Sequence, residues 1–319
     1  MGRRALQLEL RERLRPMQAL EAASEGFDAA RASAGPLIRA SAGPGVALVA
    51  ALLFVGNVVV PQALFVREGS GAAQLPFVAV LVGIAVTLPL AAWAFGSVLD
   101  ASLVPAARHS TGLEVVPRCS TIPSVLVSTA MLAGPAAVGL TLLFAGDYLE
   151  AVGYAEGLRL LCLVAGWGLA ALGPLHALVV VEAASMAPVA AAVEGLSPLL
   201  SIGRGFRLAG TRVPHYGTAG TMRATLFVLA LVCPFVYGSA ALLASLVPVS
   251  SLRTALRPPL LADLATALLA TLPAACCLAL AIPVWCSCAV TSYFSRRASV
   301  EGYDIDVLAA EVGMVDGRA

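Results

Sequence analysis

The chain has 319 residues, 59% of them hydrophobic and 12% charged, with a formal net charge of +1. A soluble domain carries about 25% charged residues, so too few charges are present to coat a water-facing surface. A soluble globular protein is excluded, and recurrent apolar runs of about twenty residues, each able to cross a roughly 30 Å hydrocarbon core, predict a multi-pass membrane protein.

Residues 1–44 form a polar, helix-friendly head in which Leu6, Leu10, Leu14 and Met17 recur at helical spacing among Arg and Glu. This spacing predicts an amphipathic helix interrupted at Pro16, with Leu20, Ala23 and Phe27 continuing the apolar face, lying on the membrane surface or against the bundle. The charged start has no apolar run behind it and does not read as a signal peptide. Six spans are expected at about 45–66, 76–98, 123–146, 159–182, 224–248 and 260–293, within a transmembrane domain covering 45–294. The fold class is all-α: a polytopic bundle with kinked spans and interfacial helices. Each span contains a proline: Pro61, Pro89, Pro135, Pro174, Pro234, and the pair Pro273 and Pro283. Such prolines fit either broken helices lining a transport path or ordinary membrane-helix composition. Gly166 and Ala170, four apart, favour close helix approach.

The loop 183–223 contains Ser197-Pro198, a helix start with Ser as N-cap and Pro at N1. Leu199, Ile202, Phe206 and Ala209 form one apolar face of that helix and Gly210 suits its end. Gly203 and Gly205 weaken it as an autonomous helix. Arg204 and Arg207 are candidate contacts for lipid phosphates or a partner, as are Arg296 and Arg297 at the head of the tail 295–319.

All twenty basic residues are arginines. They concentrate in the head, the second and fourth loops and the tail, which places both termini in the cytoplasm. Trp93 and Trp285 are expected in the aromatic belt at the cytoplasmic interface. Of the seven cysteines, six lie in apolar stretches and read as packing residues; none has the spacing of a zinc site.

Intramembrane polar residues are functional candidates by default, and Asn57 and His176 are the two here. Glu182 and Asp263 fall near span ends. His176 and Glu182, six apart, do not share a helix face. Asp304 and Asp306 would diverge on a helix and do not read as a metal pair. No H-E-x-x-H, G-x-S-x-G or P-loop pattern occurs, and the lack of lysine excludes P-loop and Schiff-base chemistry. No cofactor, metal or nucleic acid is expected.

Three stretches then converge. The head LRPMQALEAASEGFDAARASAGPLI, the loop VEGLSPLLSIGRGFRLAG and the tail RRASVEGYDIDVLAAE follow one another around six spans. In that order the chain resembles bacterial membrane proteins grouped with the glycerophosphodiester phosphodiesterase membrane domain, although Ala19-Leu20-Glu21 stands where a Gly-Glu pair is usual. The resemblance covers the membrane part only. The His and Glu signature of the catalytic barrel is absent, so phosphodiesterase activity is not carried over.

The expectation is a non-enzymatic accessory or scaffold module of the bacterial inner membrane, docking partners or anionic lipid on its cytoplasmic face. A second copy or another subunit is a further candidate partner. The alternative is a transporter or permease subunit: Glu182-Ala-Ala and Glu194-Gly-Leu-Ser-Pro resemble an ABC importer coupling loop, except that Pro188 stands where that loop has glycine. An intramembrane enzyme is the third reading.

Overall fold

The computed structural model describes residues 17–55, 74–112, 115–152, 156–211, 220–247 and 259–301. Leu6, Leu10, Leu14, Asn57, Pro61, Asp304 and Asp306 lie outside the described residues. Among the described residues there are eight helices and no strand: α1 (Ala19–Ala32), α2 (Ala34–Phe54), α3 (Gln74–Thr111), α4 (Ile122–Val152), α5 (Glu156–Glu194), α6 (Pro198–Gly210), α7 (Thr221–Ser245) and α8 (Pro259–Glu301). Six of them are long and apolar enough to cross a membrane: Ala34–Leu52, Val78–Thr111, Ile122–Glu150, Glu156–Glu194, Thr221–Ser245 and Thr271–Glu301. The protein is an all-α, multi-pass membrane bundle.

Its outward faces carry Leu160, Val164, Trp167, Leu231 and Phe235, all exposed. In hydrocarbon such side chains are at home, while the helices satisfy their own backbone groups.

Span boundaries differ from those expected. The first span opens at Ala34, well before residue 45, because Gly35-Pro36 and Pro44 are accommodated in α2. The 39 residues of α5 give a helix of roughly 58 Å, which continues through Met186–Glu194, a stretch expected to be loop. The reason is burial. Every residue from Val180 to Ala192 is buried, and a helix enclosed on all sides is stabilised by packing whatever its propensity. Pro89, Pro135, Pro174, Pro234, Pro273 and Pro283 likewise lie inside continuous helices.

Helices α3, α4, α5, α7 and α8 form a ring in which each packs against its two neighbours. They line an apolar cavity of about 460 Å³ that is open on part of its boundary. Trp285 stands in its wall and is half-buried, rather than in an outward aromatic belt. Only Trp93 of that expected pair is exposed. Helix α2 covers the outside of α3 and α8, α1 lies across α8, α3 and α7, and α6 lies against α5, α4 and α8. The ends of α3, α5 and α8 and the starts of α4 and α7 share this side, which is the arginine-rich end of the bundle.

Small residues set the closest approaches, as Gly166 and Ala170 suggested. A Cβ on Gly139 of α4 would lie 2.8 Å from the Gly166 carbonyl and 3.0 Å from Ala170 Cα. A Cβ on Gly173 would lie 2.8 Å from the Ala136 methyl. The head helix uses the same device. α1 buries Ala22, Ala23, Gly26, Ala29 and Ala30, leaving Leu20 exposed and Phe27 only partly buried. It therefore packs against the bundle through its small residues, Ala23 of the expected stripe among them, with Phe27 at the edge of the core and Leu20 alone of that stripe turned outward. Met17 N–H donates to Ser295 Oγ at 3.1 Å, tying its entry to α8.

Gly26 is the contact point. A Cβ there would meet Cys288 Sγ at 2.6 Å and Cys288 Cα at 2.7 Å. Replacing it by a large residue must lift α1 from α8. Gly26→Leu is expected to cost about 1–3 kcal/mol and to expose the buried Cys288 thiol. Maleimide labelling read peptide by peptide by mass spectrometry checks this: Cys288 should go from protected to labelled, with Cys119 as the exposed reference.

Candidate functional site

Three elements meet at the arginine-rich end. α5 ends at Glu194, and Gly195 follows with φ +72°, the left-handed stop that glycine permits. Ser197 and Pro198 then start α6, as their order predicts, and Gly210 is its last residue. The α6 face turned inward is Ser201, Gly205 and Leu208. Gly205 sits so close to the Ala183 carbonyl of α5 that any side chain there would collide with it. The expected apolar face, Leu199, Ile202, Phe206 and Ala209, is thus not the bundle face: Leu199 is 75% exposed and Phe206 44%. Small inside and large outside is the arrangement that a lipid environment permits.

With α6 so seated, Arg204 reaches the ends of both α5 and α8. Its Nε donates to Glu194 Oε1 and Oε2, each at 3.0 Å, and its Nη2 donates to Glu194 Oε1 at 2.9 Å and Glu301 Oε2 at 2.6 Å. Its Nη1 donates to Glu301 Oε1. Tyr293 OH donates to Glu194 Oε1 at 2.6 Å. Arg297 completes the cluster, with Nε to Glu301 Oε2 at 3.3 Å and Nη1 to Tyr293 OH at 3.4 Å.

Two carboxylates and two guanidiniums balance, and the planar fork of Arg204 matches two carboxylates as an ammonium could not. Bonds to Glu301, then to Glu194, hold Arg204 above its already high ordinary pKa. Of the candidate lipid contacts, Arg204 and Arg297 are therefore turned into ion pairs within the protein. Arg207 is exposed, and Arg296 is half-buried within range of the Glu182 charge.

The second polar centre is Glu182, 3% exposed. Its Oε1 accepts the backbone N–H groups of Met222 at 2.9 Å and Arg223 at 3.3 Å, in the first turn of α7. A helix start has unpaired N–H groups and the positive end of the dipole, and both favour this acceptor. Arg223 answers from α7, with Nε to the Leu178 carbonyl at 2.9 Å and Nη2 to the Val179 carbonyl at 3.4 Å.

His176 faces a different neighbour. Its Nε2 lies 3.2 Å from the Met131 carbonyl of α4, which requires the proton on Nε2, so His176 and Glu182 are on separate faces as their spacing implies. Elsewhere at this end, a groove of about 1030 Å³ between α1 and α3 is lined by Glu21, Glu25, Asp28, Arg108 and His109. His109 Nε2 lies 3.4 Å from Glu25 Oε2 there.

Sequence reasoning singled out Arg204 and Arg297 but missed Glu194, Tyr293 and Glu301 as their partners. The available signal was the repeated Val-Glu-Gly at 193–195 and 300–302, each placing one glutamate just before a glycine. Comparison of the chain with protein-family models, with curated proteins and with solved structures returned no match.

Removing one partner from a partly buried ion cluster leaves the others uncompensated. Arg204→Ala is expected to destabilise the protein by about 3 kcal/mol, seen as a lower Tm in detergent, with Arg204→Lys recovering only part of the loss. At Glu182 both bonds fall on a single oxygen, which the carbonyl of glutamine reproduces. Glu182→Gln should shift the Tm little, whereas Glu182→Leu should cost about 2 kcal/mol by orphaning two buried donors. Thermal unfolding of the two variants side by side checks this difference.

Proposed function

We propose that the chain is a non-enzymatic membrane module of the bacterial inner membrane that docks anionic lipid headgroups on its cytoplasmic face. The observation that carries this reading is the presentation of α6. Arg204 clamps it to α5 and α8, while Leu199, Leu200 and Phe206 point outward at 75%, 65% and 44% exposure beside the exposed Arg207. Such a helix buries its apolar side chains at the headgroup–acyl boundary, and a basic residue at that depth gains about 1 kcal/mol from an anionic surface.

Arginine counting supports the cytoplasmic assignment of this end, and the resemblance to the glycerophosphodiester phosphodiesterase membrane domain supports a membrane module without the catalytic barrel. Transport of a polar solute is the weaker reading. The cavity within the helix ring has an almost wholly apolar wall, and His176 is turned to α4.

Purification in mild detergent followed by lipid mass spectrometry tests the proposal. Arg207→Glu is expected to lower retained phosphatidylglycerol and cardiolipin several-fold relative to phosphatidylethanolamine, at unchanged Tm. An unaltered lipid profile, or loss of a co-purifying protein in place of lipid, would reject lipid docking at this helix.

A further inference from the structure

All the cysteines are free thiols, and the helices that carry them keep most of them apart. Cys286 and Cys288, two apart on α8, point to different neighbours. One thiol meets the Phe95 carbonyl of α3 and the other the Ala23 carbonyl of α1. Cys119 donates to the Ala191 carbonyl at the arginine-rich end. Cys276 lines a small apolar groove between α2 and α8. The next residue, Cys277, is turned by about 100° around the helix and faces α7.

There it meets another cysteine. Cys277 Sγ–H donates to the Cys233 carbonyl at 3.3 Å, and the Cys233 thiol is within its hydrogen-bonding reach as well. Two contacts to one residue hold the pair at the short separation that a disulfide spans. Both residues are partly exposed, whereas Cys286 and Cys288 are buried. Cys233 lies about 18 Å along α7 from Thr221, near the middle of a hydrocarbon core roughly 30 Å thick. Surface open at that depth faces hydrocarbon. An apolar reagent therefore reaches the pair, and the water-soluble thiols that keep cytoplasmic cysteines reduced do not.

We propose that Cys233 and Cys277 are a redox-active dithiol, oxidised within the bilayer by a lipid-soluble quinone to a disulfide that ties α7 to α8. In this step two S–H bonds break and one S–S bond forms. The sulfurs give up two electrons, and the quinone takes these and both protons to become the quinol. The acceptor at this depth must be apolar and must take up two electrons and two protons, and a quinone meets each condition. Each bridge consumes one quinone. The modification goes beyond the lipid docking proposed for α6 and uses none of its residues.

The full-length protein, reduced and purified in mild detergent, is incubated with decylubiquinone without air, then quenched in acid and alkylated with N-ethylmaleimide. Apolar surroundings keep thiols protonated, so the reaction is expected over minutes to hours. Maleimide uptake should fall by the two thiols of the pair, and mass spectrometry should find one linked peptide joining Cys233 to Cys277. Quinone loss, read by absorbance, should match the bridges formed. Cys233→Ser and Cys277→Ser should each abolish both the linked peptide and the quinone loss, while Cys119→Ser should change neither. Absence of a linked peptide, a link between any other pair, or a bridge that forms as fast in air without quinone would overturn the proposal. These outcomes are read on the unaltered protein, so they decide it even where a serine variant fails to fold.

Discussion

The last turns of α5 have no outward face. From Val180 to Ala192 every side chain is enclosed, so each must be small, apolar or matched by a partner brought from elsewhere. Alanines at 183, 184, 187, 190, 191 and 192 keep the helix thin, and Pro188 is tolerated although it leaves the Ala184 carbonyl without its helical donor. Glu182 is admitted because the start of α7 supplies two N–H groups to one of its oxygens. α6 can lie along this pillar because Gly205 brings its backbone against the Ala183 carbonyl. The carbonyls at its end are met by the segment preceding α4: Arg118 N–H donates to Ala192 O at 2.7 Å and Cys119 Sγ–H to Ala191 O at 3.1 Å. The positions of α4, α6 and α7 at this end follow from what α5 needs.

That dependence explains which features were legible in the sequence. Hydropathy alone gives the all-α class and six spans, because lipid imposes a length and composition that no tertiary contact can disguise. Local signals were equally plain where local chemistry decides, as at Ser197-Pro198 and Gly210, or at the Gly166–Ala170 pair. The extension of α5 was hidden, because Met186–Glu194 is a run of small residues whose helicity comes from enclosure by other segments. The outward placing of Leu199 and Phe206 on α6 is in keeping with the interfacial helix that the sequence suggests, since an apolar stripe marks the core side of a helix only when water is the alternative. What the sequence hid is the small inward face of Ser201 and Gly205.

The polar cluster shows the same limit from the side of charge. Arg204 and Arg297 stand out in the sequence as exposed-looking basic residues, and the natural partner for such residues at a membrane face is a phosphate. Their partners in the fold are Glu194 and Glu301, and Glu301 lies 97 residues from Arg204, a distance along which no spacing rule operates. The result is a neutral, mostly buried junction of three helix ends. It leaves Arg207, one turn on from Arg204, as the exposed charge on α6.

The ring around the cavity gives the last step. Each of its seams carries a polar link: Asp100 Oδ1 accepts Thr121 N–H at 2.9 Å between α3 and the start of α4, and His176 joins α4 to α5. Glu182 and Arg223 join α5 to α7. Cys277 Sγ–H donates to Cys233 O at 3.3 Å between α8 and α7, and Cys286 Sγ–H to Phe95 O at 3.6 Å between α8 and α3. Thiol links are weak, so apolar packing carries the α8 seams while hydrogen bonds hold the seams at the arginine-rich end. The polar atoms that hold the ring together are thereby used up in the seams, and none of these linking side chains except Cys286 contributes to the cavity wall. With the linking groups placed in the seams, the surface left to the cavity is almost wholly hydrocarbon, although Ser128, Thr129 and Ser185 stand in its wall.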